Sequence, residues 1–219
     1  MRLLISGSFV LLALSAFSAN ETFTNTNPFE TARHEFEQGH LDRALASLED
    51  GEKRGAPNAK ALVLKGRILA EQQKFSEAVA AFDAAHQLEK TSLAGLYHGE
   101  MLLRQKKWTE ALAVYEATMR ETDILVSNER LRYALLIDAL GAQNEAAAQT
   151  AFTNLPFPTE TPAYYYAQAA WSMAHGSKSD GEKWIKRAED IFPVKATAWF
   201  ARPLYDFGWI KTKPPLIAD

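Results

Sequence analysis

The 219-residue chain has no cysteine, which excludes disulfides, thiolate metal sites, a cysteine nucleophile and an amino-terminal lipid on Cys. It has no basic excess either: 24 Lys and Arg stand against 27 Asp and Glu, a formal net charge of -3. Bulk charge therefore offers nothing to neutralise phosphates, and no nucleic-acid partner is expected. Neither G-x-x-x-x-G-K-[ST] nor G-x-G-x-x-G occurs to cradle a nucleotide, and no G-x-S-x-G elbow presents a serine. What is present is ordinary globular material, 47% apolar and 23% charged, in a length that suits one elongated or two compact domains.

One long apolar run exists, at the start. Arg2 precedes an apolar stretch from Leu3 to Phe17, and small residues follow it. This layout predicts a secretory signal peptide over residues 1–19, cut after Ser18 or Ala19. A helix of that stretch rises only ~22 Å against a hydrocarbon core of ~30 Å, so no stable membrane span is expected after cleavage. The expectation is an exported protein, periplasmic or secreted, with a flexible tail over 20–27.

Beyond Pro28 the dominant signal is self-similarity. Sliding residues 59–90 forward aligns Gly66 with Gly99, Phe75 with Trp108, Ala78 with Ala111 and Phe82 with Tyr115. Sliding them back places Ala32, Leu41, Ala44 and Leu48 in the same columns. Each unit carries apolar residues at helical spacing, a polar break and a second helical stretch. One small column reads Ala32, Gly66, Gly99, Ala134, Ala169, and another reads Ala44, Ala78, Ala111, Ala146, Gly181. A missing side chain at a helix crossing lets backbones approach while larger neighbours fill the space. In the fourth unit Ala146, Ala147 and Ala148 run together, leaving its register open, and in the fifth the polar Lys178 takes the column of Leu41, Phe75 and Trp108. Gly39, Gly141 and Gly176 are placed to supply left-handed turns between paired helices.

These columns resemble the tetratricopeptide repeat, a helix–turn–helix unit of 34 residues. The resemblance implies an all-α, right-handed solenoid over 28–195, with units of about 25–58, 59–91, 92–126, 127–161 and 162–195. Residues 196–219 are expected to form a C-terminal cap and tail. Pro203 is placed to open a short helix there and Gly208 to close it. An end cap covers the apolar face that the last repeat leaves bare. A docking peptide for another protein is the competing use of this segment.

The resemblance also implies that the first helix of each pair lines a concave face. Carried over by column, the candidate partner-binding residues are Arg33, Phe36, Arg67, Tyr97, Glu100, Leu103, Arg104, Arg132, Asp138, Tyr166 and Met173. The carboxylate clamp of some family members is absent, because its Lys and Asn columns hold Phe29 or Val63 and Arg33, Arg67 or Glu100. Acidic and basic residues alternate on this face, which suits a protein or peptide of mixed charge better than a polyanion. The expected role is a non-enzymatic interaction scaffold outside the cytoplasm, in envelope complex assembly or folding, needing no metal or cofactor. The alternative is a carbohydrate- or peptidoglycan-associated module using Tyr164, Tyr165, Tyr166 and Trp171.

Catalytic patterns are thin. His34 and His40 bracket a string like that of a zinc protease, but they lie six apart and so cannot share one helix face as i and i+4 ligands do. The paired acids, such as Glu49 with Asp50, read as solvated helix surface.

Overall fold

A computed structural model describes residues 27–55, 58–90, 92–121 and 125–218. The leader and most of the tail expected before Asn27 lie outside the described residues. Among the described residues there are eleven α-helices and no strand. They are α1 (Pro28–Glu37), α2 (Leu41–Arg54), α3 (Ala59–Glu71), α4 (Phe75–Leu88), α5 (Ser92–Arg104) and α6 (Trp108–Glu121). Then come α7 (Leu125–Gly141), α8 (Glu145–Thr153), α9 (Ala163–Ala174), α10 (Lys178–Ile191) and α11 (Val194–Asp206).

Local chemistry sets the helix ends. Asn27 and Asn58 begin α1 and α3, their side chains accepting from Phe29 N at 3.0 Å and Ala61 N at 2.8 Å. The turn inside each pair is one device used five times. A residue at positive φ stands at Gly39, Gln73, Lys106, Gln143 and Gly176. The next amide then reaches back over the turn: His40 N to Glu35 O, Lys74 N to Leu69 O, Lys107 N to Leu102 O, Asn144 N to Ala139 O, Ser177 N to Ser172 O. This is the glycine-type helix stop with its orphan carbonyls satisfied. Only Gly39 and Gly176 use glycine there. Gly141, expected at such a turn, is helical, and its neighbour Gln143 takes the left-handed conformation instead.

This repeated turn settles the fourth register. Counting five residues past each left-handed position gives Ala44, Ala78, Ala111, Ala148 and Gly181, and Ala148 is fully buried. Ala146, expected in that column, is exposed. Counting back seven gives Ala32, Gly66, Gly99, Leu136 and Ala169, so Leu136 and not Ala134 occupies the first small column. The fourth pair is therefore displaced by two residues from its sequence alignment.

The small columns lie where helices meet. A Cβ on Gly66 would come within 2.5 Å of the Phe82 ring, and one on Gly99 would overlap the Tyr115 ring. Phe82 and Tyr115 are each 1% exposed. Helices within a pair pack closely, and α2, α4 and α6 each pack on the first helix of the next pair. Successive odd-numbered helices also touch, from α1 through α9, while successive even-numbered helices make no comparable contact. The stack is thus tighter on its odd side, which makes the odd helices the concave lining. The result is an all-α solenoid of five pairs.

α11 is not confined to the end. It starts at Val194, with Pro203 inside it and not at its opening, and Gly208 stops it at φ +72°. It packs on α7, α9 and α10, crossing the concave face. Phe200 sits between Tyr133 of α7 and Tyr166 of α9, at ring distances of 5.3 and 6.1 Å. The Tyr133 hydroxyl donates to Phe200 O at 2.7 Å.

Candidate binding groove on the concave face

The groove begins with α1, α3 and α5. Arg67 lies over two aromatic faces, 5.0 Å from the Phe36 ring centre and 4.7 Å from that of Tyr97. Phe36 and Tyr97 are buried, so the guanidinium bridges successive repeats by cation–π contact. Arg104 covers Phe75 at 5.2 Å, and Arg33 sits 5.9 Å from the Phe29 ring while bonding Glu30 at 3.0 Å. Three adjoining cavities follow this surface. One of about 80 Å³ is bordered by Arg33, Val63 and Arg67. A second of about 50 Å³ is bordered by Phe36, Arg67, Tyr97, Glu100 and Arg104. The third, about 270 Å³, lies between Glu100, Leu103, Arg104, Trp108 and Phe207.

The chain's own C-terminal segment fills part of this groove. Arg202 of α11 donates to Glu71 Oε1 at 2.6 Å and pairs with Asp206 at 3.1 Å. Lys213 reaches Glu71 Oε2 at 2.9 Å. Beyond it Leu216 and Ala218 join the apolar cluster of Ala32, Phe36, Leu64 and Ile68, and Ala218 N donates to Glu37 Oε1 at 3.2 Å. Residues 214–217 form one wall of the smallest cavity.

Electrostatics at this junction follow from burial. Burial alone would raise the Glu71 pKa, but the Arg202 charge and hydrogen bonds from Lys213 and Arg202 bring it below the ordinary value of 4.5. Glu100 goes the other way: burial pushes its carboxyl up, although Arg202 and Arg104 are near. Arg202 loses some basicity to burial but regains more from the Glu71 and Asp206 charges.

With this geometry in view, residues 29–92 match the family model for the tetratricopeptide repeat. The first two helix pairs carry tetratricopeptide repeats. The chain's fold is similar to the crystal structure of a tetratricopeptide repeat protein from Parabacteroides merdae ATCC 43184, at 16% identity and a TM-score of 0.54. That likeness covers 85% of this chain and 78% of the other, and at such identity it shows the fold alone. No curated protein matches the chain.

Within this array of helix pairs, the sequence-predicted residues divide sharply. Arg33, Phe36, Arg67, Tyr97, Glu100, Leu103 and Arg104 come together along the groove. Tyr166 also faces it but is covered by Phe200, with 1% exposed. Arg132 does not face it: its guanidinium bonds Asn154 O, just past α8, at 2.8 Å. Met173 packs beneath Gly181 of α10. Asp138 lies in the column that holds Ile68 and Met101 in earlier repeats, and all three are buried. Its Oδ1 has no hydrogen-bond partner, and burial pushes its pKa up to about 7.

Sequence reasoning missed Tyr133, Arg202 and Lys213. The signal available for the last two was charge matching, since Lys195, Arg202 and Lys213 of the C-terminal segment answer the acidic Glu37 and Glu71. The aromatic set proposed for sugars is largely engaged elsewhere. Trp171 stacks on Phe152 at 4.7 Å and on His175 at 4.2 Å, and Tyr164 and Tyr165 pack against Trp184. His40 begins α2 and bonds Glu35 at 2.7 Å, apart from His34 in α1. Among the described residues no group of three or more His, Asp or Glu could hold a metal, and no helix is long and apolar enough to cross a membrane.

Proposed function

We propose that the protein is a non-catalytic interaction scaffold whose concave face, over α1, α3 and α5, takes a protein segment. Tetratricopeptide repeats mediate protein–protein interaction generally, and the array supplies the scaffold. The observation that carries the reading is the Arg67 platform between Phe36 and Tyr97, flanked by Glu71, Glu100 and Arg104. Arginine set among aromatics at the centre of a concavity is the composition of binding hot spots. Alternating charge beside it favours a partner of mixed charge over a polyanion.

The leader-like residues 1–19 support a site of action outside the cytoplasm, in the periplasm or beyond, where the scaffold serves envelope complex assembly or folding. Affinity capture from an envelope extract tests both statements. The intact protein should retain a protein partner, Arg67→Glu should lose it, and Glu116→Arg on exposed α6 should keep it. Capture unaffected by Arg67→Glu would move the site off the concave face. Mass spectrometry of the cell-derived protein should give an amino terminus after residue 18 or 19.

A further inference from the structure

Past Gly208 the chain leaves helix, and residues 213–218 run without regular structure along the concave side of α1 and α3. The seat is built from side chains. Glu71 receives the Lys213 ammonium, and Glu37 receives a main-chain N–H at Ala218. Between these anchors Pro214 is buried and Leu216 enters the cluster of Phe36 and Leu64. Phe36, Arg67 and Tyr97 share a cavity wall with Pro214 and Pro215. Aromatic grooves suit prolyl segments, because such a segment is already extended and loses little freedom on docking. The seat thus reads four features of an extended strand: a cation, a proline, an aliphatic side chain and a free N–H.

The hold on this segment is light. The Lys213 side chain is 49% exposed, so its ion pair with Glu71 is screened, and Pro215 is exposed. Its attachment is covalent through α11, which supplies an effective concentration of about millimolar. A weak intrinsic contact is thereby sufficient to keep the groove filled.

We propose that residues 211–218 are a built-in competitor for the groove, and that the partner in trans is an extended, proline-containing peptide with a basic side chain for Glu71. The idea rests on the scaffold reading above and adds both the chemistry of the partner and its regulation. A partner binds by carrying the same four features and displacing the tail, so the apparent affinity falls by the fraction of molecules whose tail is seated.

The test uses full-length chains and a fluorescein-labelled peptide carrying residues 209–218, read by fluorescence anisotropy. The doubly substituted chain Lys213→Glu with Leu216→Asp should bind the peptide at least ~10-fold more tightly than the unaltered chain. Adding Glu71→Lys should abolish that gain, as should replacing both prolines of the peptide by alanine. Far-UV circular dichroism checks that the helices persist, and Lys213→Glu alone serves if the double change unfolds the chain. Equal, Glu71-dependent binding by altered and unaltered chains would overturn the competitor role while leaving the groove as a binding site. No binding by the altered chain would overturn the peptide chemistry, while the envelope capture above still judges the scaffold. A concentration-dependent dimer that the free peptide dissolves would show tails exchanged between copies, and would overturn seating in cis.

Discussion

Arg202 Nη1 lies 2.6 Å from Glu71 Oε1, joining the last helix to the second repeat across 131 residues of sequence. The Glu71 side chain is 8% exposed and also receives Lys213, so one carboxylate fastens both parts of the C-terminal segment. Removing Arg202 strands that carboxylate with weaker partners. Arg202→Met should destabilise the fold by about 2–3 kcal/mol, near the low end for cutting a buried pair because Lys213 stays. Glu71→Leu with Arg202→Met should cost less than the sum of the singles in urea denaturation, the mark of direct coupling.

The same pair sets an acid limb. Glu71 titrates below its ordinary 4.5 in the folded chain, so its stabilising contribution is full above that value and fades as pH falls through the folded pKa. In Glu71→Gln the loss of stability below pH 4.5 should be shallower than in the parent, measured by thermal melts across pH.

Asp138 has the opposite sign. Its pKa rises from 3.8 to about 7, so the folded chain keeps a proton that the unfolded chain has released. Stability falls as pH rises from about 4 through about 7, then levels. Asp138→Leu restores the apolar character of the column shared with Ile68 and Met101. It should gain about 1–3 kcal/mol at pH 8 and little at pH 4. A gain of equal size at both pH values would mean that packing, not ionisation, is responsible.

Gly66 tests the small columns. Alanine is favoured over glycine within a helix by about 1 kcal/mol, yet here its Cβ would press into the Phe82 ring. Gly66→Ala should therefore lower stability by about 1–3 kcal/mol through overpacking. Phe82→Leu in the same chain should recover part of that loss in chemical denaturation.

Tyr133→Phe removes the hydroxyl that serves Phe200 O inside the buried seam of α7 and α11. The lost hydrogen bond should cost about 0.5–1.5 kcal/mol. Hydrogen exchange should quicken in α11 far more than in α3, with a shift in Trp199 emission because that ring packs on Tyr133 at 6.1 Å.

How far the sequence carried depends on which contacts are local. Gly66 with Phe82 and Gly99 with Tyr115 lie within single repeats, and their columns recur, so the pairing was visible before any coordinates. The groove residues of the first three repeats were visible for the same reason. The fourth repeat failed where its alanine run offered several equal alignments. A shift of two residues turned Arg132 toward α8 and put Asp138 in the core, and left Tyr133 unnoticed on the groove. The return of the tail to Glu71 and Glu37 joins distant, non-repeating residues, so no period announces it. Only charge and apolar content hinted that residues past Pro193 were folded.

The C-terminal segment lies in the groove of the first repeats, held there by Glu71 and Glu37. The chain has no cysteine, so two introduced at exposed Thr212 and Ser76 can carry nitroxide labels without background. Double electron–electron resonance on this pair should give one narrow distance distribution in the unliganded protein, broadening when the residue 209–218 peptide is added in excess. A broad distribution in the unliganded protein, unchanged by the peptide, would mean that the segment does not lie in the groove.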